Sequence, residues 1–479
     1  MNARLRIGFI LLALVVATAS GAMAQTTYFV PSDDVWNNAA NWDNNLPVAG
    51  GTAYVGSKSS GKTSPATARI HAGDALAAAI VYLGAGGTAP CGTLIMDGGT
   101  LTMTGAFYPG YDSTGTGIVV QTGGVISNLY FRLGYNGQGT WTLAGGVVSN
   151  NPSSSYYSYL GENGTGRGDL TISNGARMVG GRINLARYAG ARGTLKILSG
   201  GTLSGIEELV VGLAGVGTLV VSNAVLDATA KGITVVQADG GTGNVDLYGA
   251  TVKCGSMTVG SKGPGNLHAT AGTFITNAGT LYFGNYTNGV GKMWIDGGAR
   301  YVGSGEVRLP WQGSGNGLIV SNGSFECANH VQVDYGTLTP GWVELAGTQR
   351  VFRVDRLTIG NEGSLTNRIA KFAGGVDVTL TDSYRIAITA PGRIHLLFVD
   401  NPVQTGDFWG VRWAGDNRTT LGSFTNGTPA RLTWDTSALH PMYQNQVAIY
   451  TNAGYTYVGI QVTNLVASSS GKGSLITFR

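Results

Sequence analysis

The stretch Gly193-Thr-Leu-Lys-Ile-Leu-Ser-Gly-Gly-Thr-Leu-Ser-Gly205 (GTLKILSGGTLSG) is one copy of a pattern that the chain repeats. Close variants are GTLIMDGGTLTMTG, which begins at Gly92, and GTWTLAGGVVSN, which begins at Gly139. Each copy alternates apolar and polar residues on both sides of a pair of small residues, which is typical of short β-strands joined at a tight corner. The repeat therefore predicts an all-β protein built from similar small units.

The second residue of the Gly-Gly pair anchors each copy and gives the period. Eleven anchors follow one another at intervals of 22 to 29 residues, and ten of the eleven are glycine, with Ala224 in the remaining copy. Glycine suits a corner that needs a positive φ or a close approach of two backbones. The predicted corner glycines are Gly99, Gly124, Gly146, Gly175, Gly201, Gly249, Gly272, Gly298, Gly323 and Gly347.

The period favours a solenoid over a propeller. A propeller blade has four strands and needs roughly 40 residues, whereas two or three short strands fit a coil of this length. We therefore predict a right-handed parallel β-helix of about 11 or 12 coils, each stacked about 4.8 Å from the last.

The position two residues after the anchor is predicted to point inward, because seven of its eleven members are apolar. These members are Leu101, Ile126, Val148, Arg177, Leu203, Leu226, Thr251, Phe274, Arg300, Phe325 and Gln349.

The repeat is flanked by regions of different character. Both ends of a stacked rod expose strand edges that invite aggregation, so we expect each end to be capped. The predicted organisation is a signal peptide at 1–24, an N-terminal cap and first coils at 25–90, β-helix repeats at 91–375, a C-terminal β-rich cap at 376–465 and a flexible tail at 466–479.

The first 24 residues have the composition of an export signal. Arg4 and Arg6 precede an apolar run, and Ala22-Met23-Ala24 supplies a small-x-small cleavage pattern. The run is shorter than the roughly 20 apolar residues of a membrane span. Removing the two arginines lowers the formal charge from +4 to +2, which gives no electrostatic case for nucleic acid or anionic membranes. We expect an exported protein, secreted or associated with the cell surface, with no membrane span in the mature chain.

The three cysteines are predicted to be free and buried. The anchors place Cys254 and Cys327 three coils apart, which is about 14 Å along the rod and beyond the reach of a disulfide. Cys91 lies farther still along the repeat.

Several loose motifs resemble those of a known group of exported proteins. They are the W-x4-NW-x4-P opening from Trp36 to Pro47, the LG-x-x-G-x-G turns at Leu133 and Leu160, the GTL…GGT strands, and the pair Gly422-Ser-Phe424 and Trp434-Asp435. The chain is similar to the β-repeat proteins of planctomycete- and verrucomicrobium-like bacteria, including autotransporter-associated β-strand repeat and PEP-CTERM-type surface proteins. The resemblance implies a structural role at the cell surface. The terminal sequence GSLITFR lacks the PEP-CTERM anchor, so we expect a freely secreted protein or one attached through partners.

Two sets of residues are candidates for a site. Arg182, Glu208 and Lys231 each follow their anchor by seven positions, which predicts a column of alternating charge. The column is either an exposed ion ladder or a site for a substrate carboxylate. Trp36 and Trp42 are candidates for stacking on sugar rings, and packing in the N-terminal cap is the alternative.

No cofactor or metal site is predicted. The five histidines show no metal-ligand spacing, and no calcium-binding repeat occurs. The narrow range of anchor spacings leaves little room for loops that would wall a catalytic cleft. We therefore predict a non-catalytic exported structural or adhesive β-helix that presents an extended surface to matrix, cells or polysaccharide. A polysaccharide lyase or glycoside hydrolase on the same fold and a carbohydrate-binding module remain as alternatives.

Overall fold

The protein is a parallel β-solenoid of about 13 coils with about 25 residues per turn, which confirms the predicted parallel β-helix and slightly exceeds the predicted number of coils. Each coil contributes three short strands, one to each of three parallel ladders that we call the first, second and third sheets. The computed structural model describes residues 25–58, 62–150, 156–310, 312–333, 341–346, 351–359, 364–369, 376–378, 386–388, 393–398, 406–426 and 430–463.

The first sheet is formed by the strands that precede the Gly-Gly corners. Its longer strands bury every second residue, as Leu94 and Met96 show within Cys91–Met96. Sixteen strands form this ladder: Asp33–Val35, Ala66–Ile70, Cys91–Met96, Thr116–Gln121, Gln138–Leu143, Arg167–Ile172, Arg192–Leu198, Val216–Ser222, Thr242–Tyr248, Pro264–Thr270, Val290–Asp296, Gly317–Ser321, Trp342–Ala346, Ser364–Ile369, Arg393–Phe398 and Leu432–Asp435.

The second sheet follows each corner and consists mostly of three- or four-residue strands. Its strands are Ala75–Ala78, Thr100–Met103, Val125–Asn128, Val147–Asn150, Arg177–Val179, Thr202–Ser204, Val225–Ala228, Thr251–Cys254, Phe274–Asn277, Arg300–Gly303, the first parts of Ser324–Val333 and Val351–Ile359, Val376–Val378 and Gly406–Ala414.

The third sheet closes the coil and leads back to the first. Its strands are Thr26–Tyr28, Thr52–Val55, Ile80–Leu83, Ala106–Pro109, Tyr130–Leu133, Tyr157–Leu160, Arg182–Leu185, Glu208–Val211, Gly232–Val235, Met257–Val259, Leu281–Phe283, Val307–Leu309, the second parts of Ser324–Val333 and Val351–Ile359, and Ile386–Ile388. The apolar side chains of all three sheets meet in one continuous core.

Most of the predicted corner glycines have the expected backbone conformation. Positive φ values occur at Gly99, Gly124, Gly146, Gly175, Gly249, Gly272 and Gly298. The prediction is wrong by one residue at three anchors, where the positive φ falls on Gly200, Asn223 and Asn322. Gly201 and Gly323 instead lie close to carbonyl oxygens of the preceding coil. Gly347 lies outside the described residues.

The predicted inward column of the second sheet slips by one residue in four coils. In three of these coils the corner contains one more residue, so the side chain that follows is the one that enters the core. In the coil of Thr251 the corner has the usual length, and the anchor Gly249 stands one position earlier relative to the first-sheet strand. The residues found on the outer face instead are Arg177, Thr251, Phe274 and Arg300. Their buried neighbours are Met178, Val252, Ile275 and Tyr301. Gln349 lies outside the described residues.

Parallel pairing continues past the predicted end of the repeat at residue 375. Arg393–Phe398 pairs in parallel with Leu432–Asp435, and Val376–Val378 pairs in parallel with Gly406–Ala414. The pairing becomes antiparallel only where Tyr455–Val462 meets its neighbours Gly406–Ala414 and Ala448–Asn452. The helices in this region are Arg418–Thr425 and Pro441–Gln444. The predicted signal peptide and C-terminal tail lie outside the described residues.

The cysteines are free, as predicted. Cys254 and Cys327 are buried, and burial raises the pKa of their thiols to about 12 and about 11. Cys91 is only partly buried, so the prediction of burial is wrong for this residue. It begins a first-sheet strand, and its side chain points to the outer face of the solenoid.

Candidate functional site

Trp36 and Trp42 are core residues, so the prediction that they stack on sugar rings is wrong. Trp36 is 0% and Trp42 4% exposed. Trp42 packs edge-to-face against both Phe29 and Trp36, and its indole N–H donates to the carbonyl of Trp36. The 3-10 helix Ala39–Asn41 lies in the segment that joins Trp36 to Trp42. Together with Phe29, these rings form the N-terminal end of the core that the structure describes.

A row of tyrosines occupies the outer face of the third sheet. Tyr28, Tyr54, Tyr82 and Tyr108 are in register on four successive strands. Neighbouring rings are stacked with centroids 4.8 to 4.9 Å apart. Each ring covers a face of the next. Tyr28, Tyr54 and Tyr82 remain partly exposed, whereas Tyr108 is buried. Burial raises the pKa of Tyr82 and of Tyr108, and the hydroxyls remain protonated donors at neutral pH.

The row continues into an arginine enclosed by aromatic rings. Arg132 lies opposite Tyr159 in the ladder, and its guanidinium lies 5.3 to 5.7 Å from the centres of four tyrosine rings, which are Tyr108, Tyr130, Tyr135 and Tyr159. Cation–π contacts of this kind are most favourable where water is excluded.

A single buried carboxylate neutralises this arginine. Glu162 is 2% exposed, and its Oε1 accepts a hydrogen bond of 2.9 Å from Nη1 of Arg132. The same oxygen also accepts from Arg187, whose guanidinium lies over the Tyr159 and Tyr188 rings. Two cations therefore share one carboxylate at the centre of an aromatic surface.

The predicted charge column exists, but its carboxylate is Glu207 and not Glu208. Arg182 donates from Nε and Nη2 to the two oxygens of Glu207 at 2.8 and 2.6 Å, and Lys231 Nζ lies 2.8 Å from Oε1. Glu208 is opposite Arg182 in the ladder, yet the corner residue just before the strand supplies the ion pair. Spacing alone identified the coil but not which of two adjacent glutamates turns toward the arginine.

The hydrogen bonds from Arg182, and then that from Lys231, lower the pKa of Glu207 from its ordinary 4.5 to about 2. A carboxyl group with so low a pKa stays ionised at neutral pH and cannot donate a proton. The geometry supports an ion ladder that links three coils, rather than an acid–base site.

Replacing Glu207 with glutamine should reduce stability in a pH-dependent way. A carboxyl whose pKa is lowered on folding stabilises the fold fully above its unfolded pKa and loses this contribution as the pH falls through its folded pKa. We expect the variant to be less stable by about 1 to 2 kcal/mol at pH 7, and the difference to shrink between pH 4.5 and about 2. Urea unfolding at several pH values measures this difference.

Glu208→Gln is the matched control, because it removes the same charge from the next residue. It should change stability by less than Glu207→Gln at pH 7. A Glu207→Gln deficit that stays constant from pH 7 down to about 2 would contradict the assignment of its effect to the ion pair.

A second polar surface lies on the outer face of the first sheet. His268 is in register between Asp246 and Trp294 on neighbouring strands. Its Nε2 lies 2.8 Å from Oδ2 of Asp296, and its ring meets that of Trp294 edge-on at 6.4 Å. The side chains of His268 and Asp296 are 39% and 35% exposed, so this group is open to solvent.

The same face carries a tryptophan that lies on a glycine. Trp342 is in register with Gly317 of the preceding coil. A Cβ added to Gly317 would collide with Cε2, Cζ2 and Cη2 of the Trp342 indole. The six-membered ring of the indole therefore occupies the space beside the Cα of Gly317. Trp342 is partly exposed.

Within the described ranges, no three His, Cys, Asp or Glu side chains group closely enough to hold a metal ion. No helix in the part of the chain that the structure describes has the length and apolar character to cross a membrane. No protein family, curated protein or solved structure matches this chain.

The tyrosine row has a sequence signal that spacing from the Gly-Gly anchors does not reveal. Tyr54, Tyr82 and Tyr108 each stand two residues before a glycine, in YVG, YLG and YPG. Those glycines, Gly56, Gly84 and Gly110, take positive φ at the corner between the third and first sheets. A second alignment on these corner glycines would have placed the tyrosines in one column.

Proposed function

We propose that this protein is a non-catalytic, exported structural or adhesive solenoid whose outer faces serve as an extended contact surface for matrix, cells or polysaccharide. The observation that carries the proposal is the tyrosine row with its continuation through Arg132. Tyrosine and arginine are enriched where proteins make contact, and they supply much of the binding energy there. Export is supported by the composition of residues 1–24.

Two carboxylates that are engaged in ion pairs between coils favour a non-catalytic role. Glu162 and Glu207 each contact two cations. The pKa of Glu207 is lowered to about 2, so this carboxylate stays ionised and is not available as a general acid. Both instead link successive coils on the side of the solenoid that carries the tyrosine row.

The proposal is tested with the chain from Gln25 onward, applied to immobilised glycans and extracellular matrix proteins. The same panel is incubated in solution and assayed for new reducing ends and for unsaturated sugar products. We expect binding without products. Release of products would overturn the non-catalytic proposal.

A polysaccharide lyase or glycoside hydrolase is the second candidate. The observation that favours it is the pair of carboxylates, Asp246 and Asp296, on the same outer face as His268. If products form, Asp296→Asn should abolish them under this alternative. A matched change at the exposed Asp169, which lies elsewhere on the first sheet, should leave product formation unchanged.

A further inference from the structure

We propose that the outer face of the first sheet between Asp246 and Glu344 binds an uncharged polysaccharide chain, with Trp294 and Trp342 as the stacking residues. This inference rests on the proposed function and names its ligand. We call this surface the tryptophan platform.

The first element of the platform is the partly exposed indole of Trp342. Elsewhere this position of the ladder usually carries a side chain, such as Asn266 or Lys292. Gly317 has none, and the indole of Trp342 lies in the space that a Cβ would fill. The glycine thus gives the indole room to lie against the neighbouring strand, and the part of the ring that stays exposed is available to a sugar ring.

The second element is Trp294, which lies on the outer face two coils before Trp342. Its ring is partly exposed and contacts His268 edge-on. His268 is in turn oriented by its contact with Asp296. An aromatic ring held by neighbours loses little side-chain entropy when a ligand stacks on it.

The polar groups of the platform suit hydroxyl groups. Asp246, Asp296 and Glu344 are acceptors, while Lys292 supplies a donor on the same outer face. Binding sites for small neutral groups combine apolar surfaces with a few convergent hydrogen-bonding side chains in this way. The pyranose ring has an apolar face that packs on an indole and a rim of hydroxyls that reaches these side chains.

The charge of the platform selects against polyanions. Its three carboxylates outnumber the single ammonium group of Lys292. Repulsion between like charges across an interface therefore disfavours binding of a polyanion. From Asp246 to Glu344 the platform covers five neighbouring coils, which is about 19 Å along the rod. A platform of this length can contact several sugar units of one chain.

The experiment measures binding of neutral hexasaccharides, namely cellohexaose, xylohexaose and mannohexaose, and of polygalacturonate, by isothermal titration calorimetry. The protein is the chain from Gln25 onward. We expect a neutral hexasaccharide to bind, polygalacturonate not to bind, and Trp294→Ala and Gly317→Ala each to weaken binding at least tenfold. Gly317→Ala keeps every tryptophan and only displaces the Trp342 ring.

The control is Tyr286→Ala, which truncates a ring that is 46% exposed but lies off the first sheet. It should leave the affinity unchanged, and near-ultraviolet circular dichroism should show that all three variants are folded. Lack of binding to every neutral hexasaccharide, binding to polygalacturonate alone, or affinities unchanged in both platform variants would each overturn the inference.

Binding by the two platform variants and cleavage of the bound chain test the platform and the non-catalytic role separately. If matrix or glycans bind and both platform variants bind as tightly as the wild type, the platform is wrong and the adhesive role stands. If the bound chain is cleaved and both variants weaken its binding, the platform stands and the non-catalytic role is wrong.

Discussion

Replacing Gly193 with valine is expected to prevent folding of the coil that contains Arg192–Leu198. A Cβ at this position would collide with the carbonyl oxygen of Leu160 and would lie 2.8 Å from the amide nitrogen of Ala186. Both obstacles are backbone atoms, which cannot move aside without opening the corner between the third and first sheets. We expect a cost of about 4 kcal/mol or more, which is large for a single substitution.

Gly193 belongs to a column of glycines that the structure places in register. Its members are Gly92, Gly117, Gly139, Gly168, Gly193, Gly217, Gly243, Gly265 and Gly291. The next coil has Asn316 in this place, and its side-chain oxygen accepts a hydrogen bond from the amide of Gly291. A Cβ at any of these glycines would lie within 3 Å of a backbone atom of the corner between the third and first sheets.

Soluble yield and the midpoint of thermal unfolding by circular dichroism measure the effect of Gly193→Val. Gly50→Val is the matched control, because a Cβ at Gly50 would meet no heavy atom within 4 Å and its φ is not positive. A Gly193→Val protein as soluble and as stable as the Gly50→Val control would contradict the close approach of the two coils.

Replacing Glu162 with glutamine is expected to have the next largest effect. Glutamine keeps the shape of the side chain but leaves Arg132 and Arg187 without the carboxylate that they share. Among the described residues the Nε of Arg132 is buried without a hydrogen-bond partner, so the contact with Glu162 is the ion pair that balances its charge. Removing one partner of a buried ion pair leaves an uncompensated charge, and we expect a loss of about 3 kcal/mol.

Urea unfolding followed by tyrosine fluorescence measures this loss, because the affected charges lie among tyrosine rings. Asp169→Asn is the control, since it removes an exposed carboxylate from the neighbouring first-sheet strand. Equal stabilities of the two variants would show that the buried carboxylate is not what holds Arg132.

The parts of the fold that repeat were predictable from the sequence. A corner glycine and an alternating strand such as Thr242–Tyr248 recur in nearly all copies. Aligning the copies with one another therefore reveals the shared pattern even where a single copy departs from it. Short strands were harder to place. Thr202–Ser204 has three residues, too few for a periodic signal, and only its pairing with Val225–Ala228 defines it as a strand.

The candidate surfaces were less predictable because they depend on contacts across coils. For Trp36 and Trp42 the sequence left both sugar stacking and packing in the N-terminal cap open, and only the tertiary structure shows that both rings are buried. The role of Glu207 depended on which of two adjacent glutamates faces Arg182, and a one-residue shift at a corner decides this. Neither outcome has a signature in residue spacing.

The sequence by itself determined that this protein is a parallel β-solenoid, because a single rung cannot bury its apolar face alone and the pattern must therefore recur. It also determined which residues lie at most of the corners, since only a few residue types accept a positive φ. The tertiary structure alone decided which side chains meet on the outer faces. The tyrosine row, the enclosure of Arg132 and the position of Trp342 over Gly317 all join residues of different coils. Their contacts depend on ladder register to within one residue, and corners of variable length set that register.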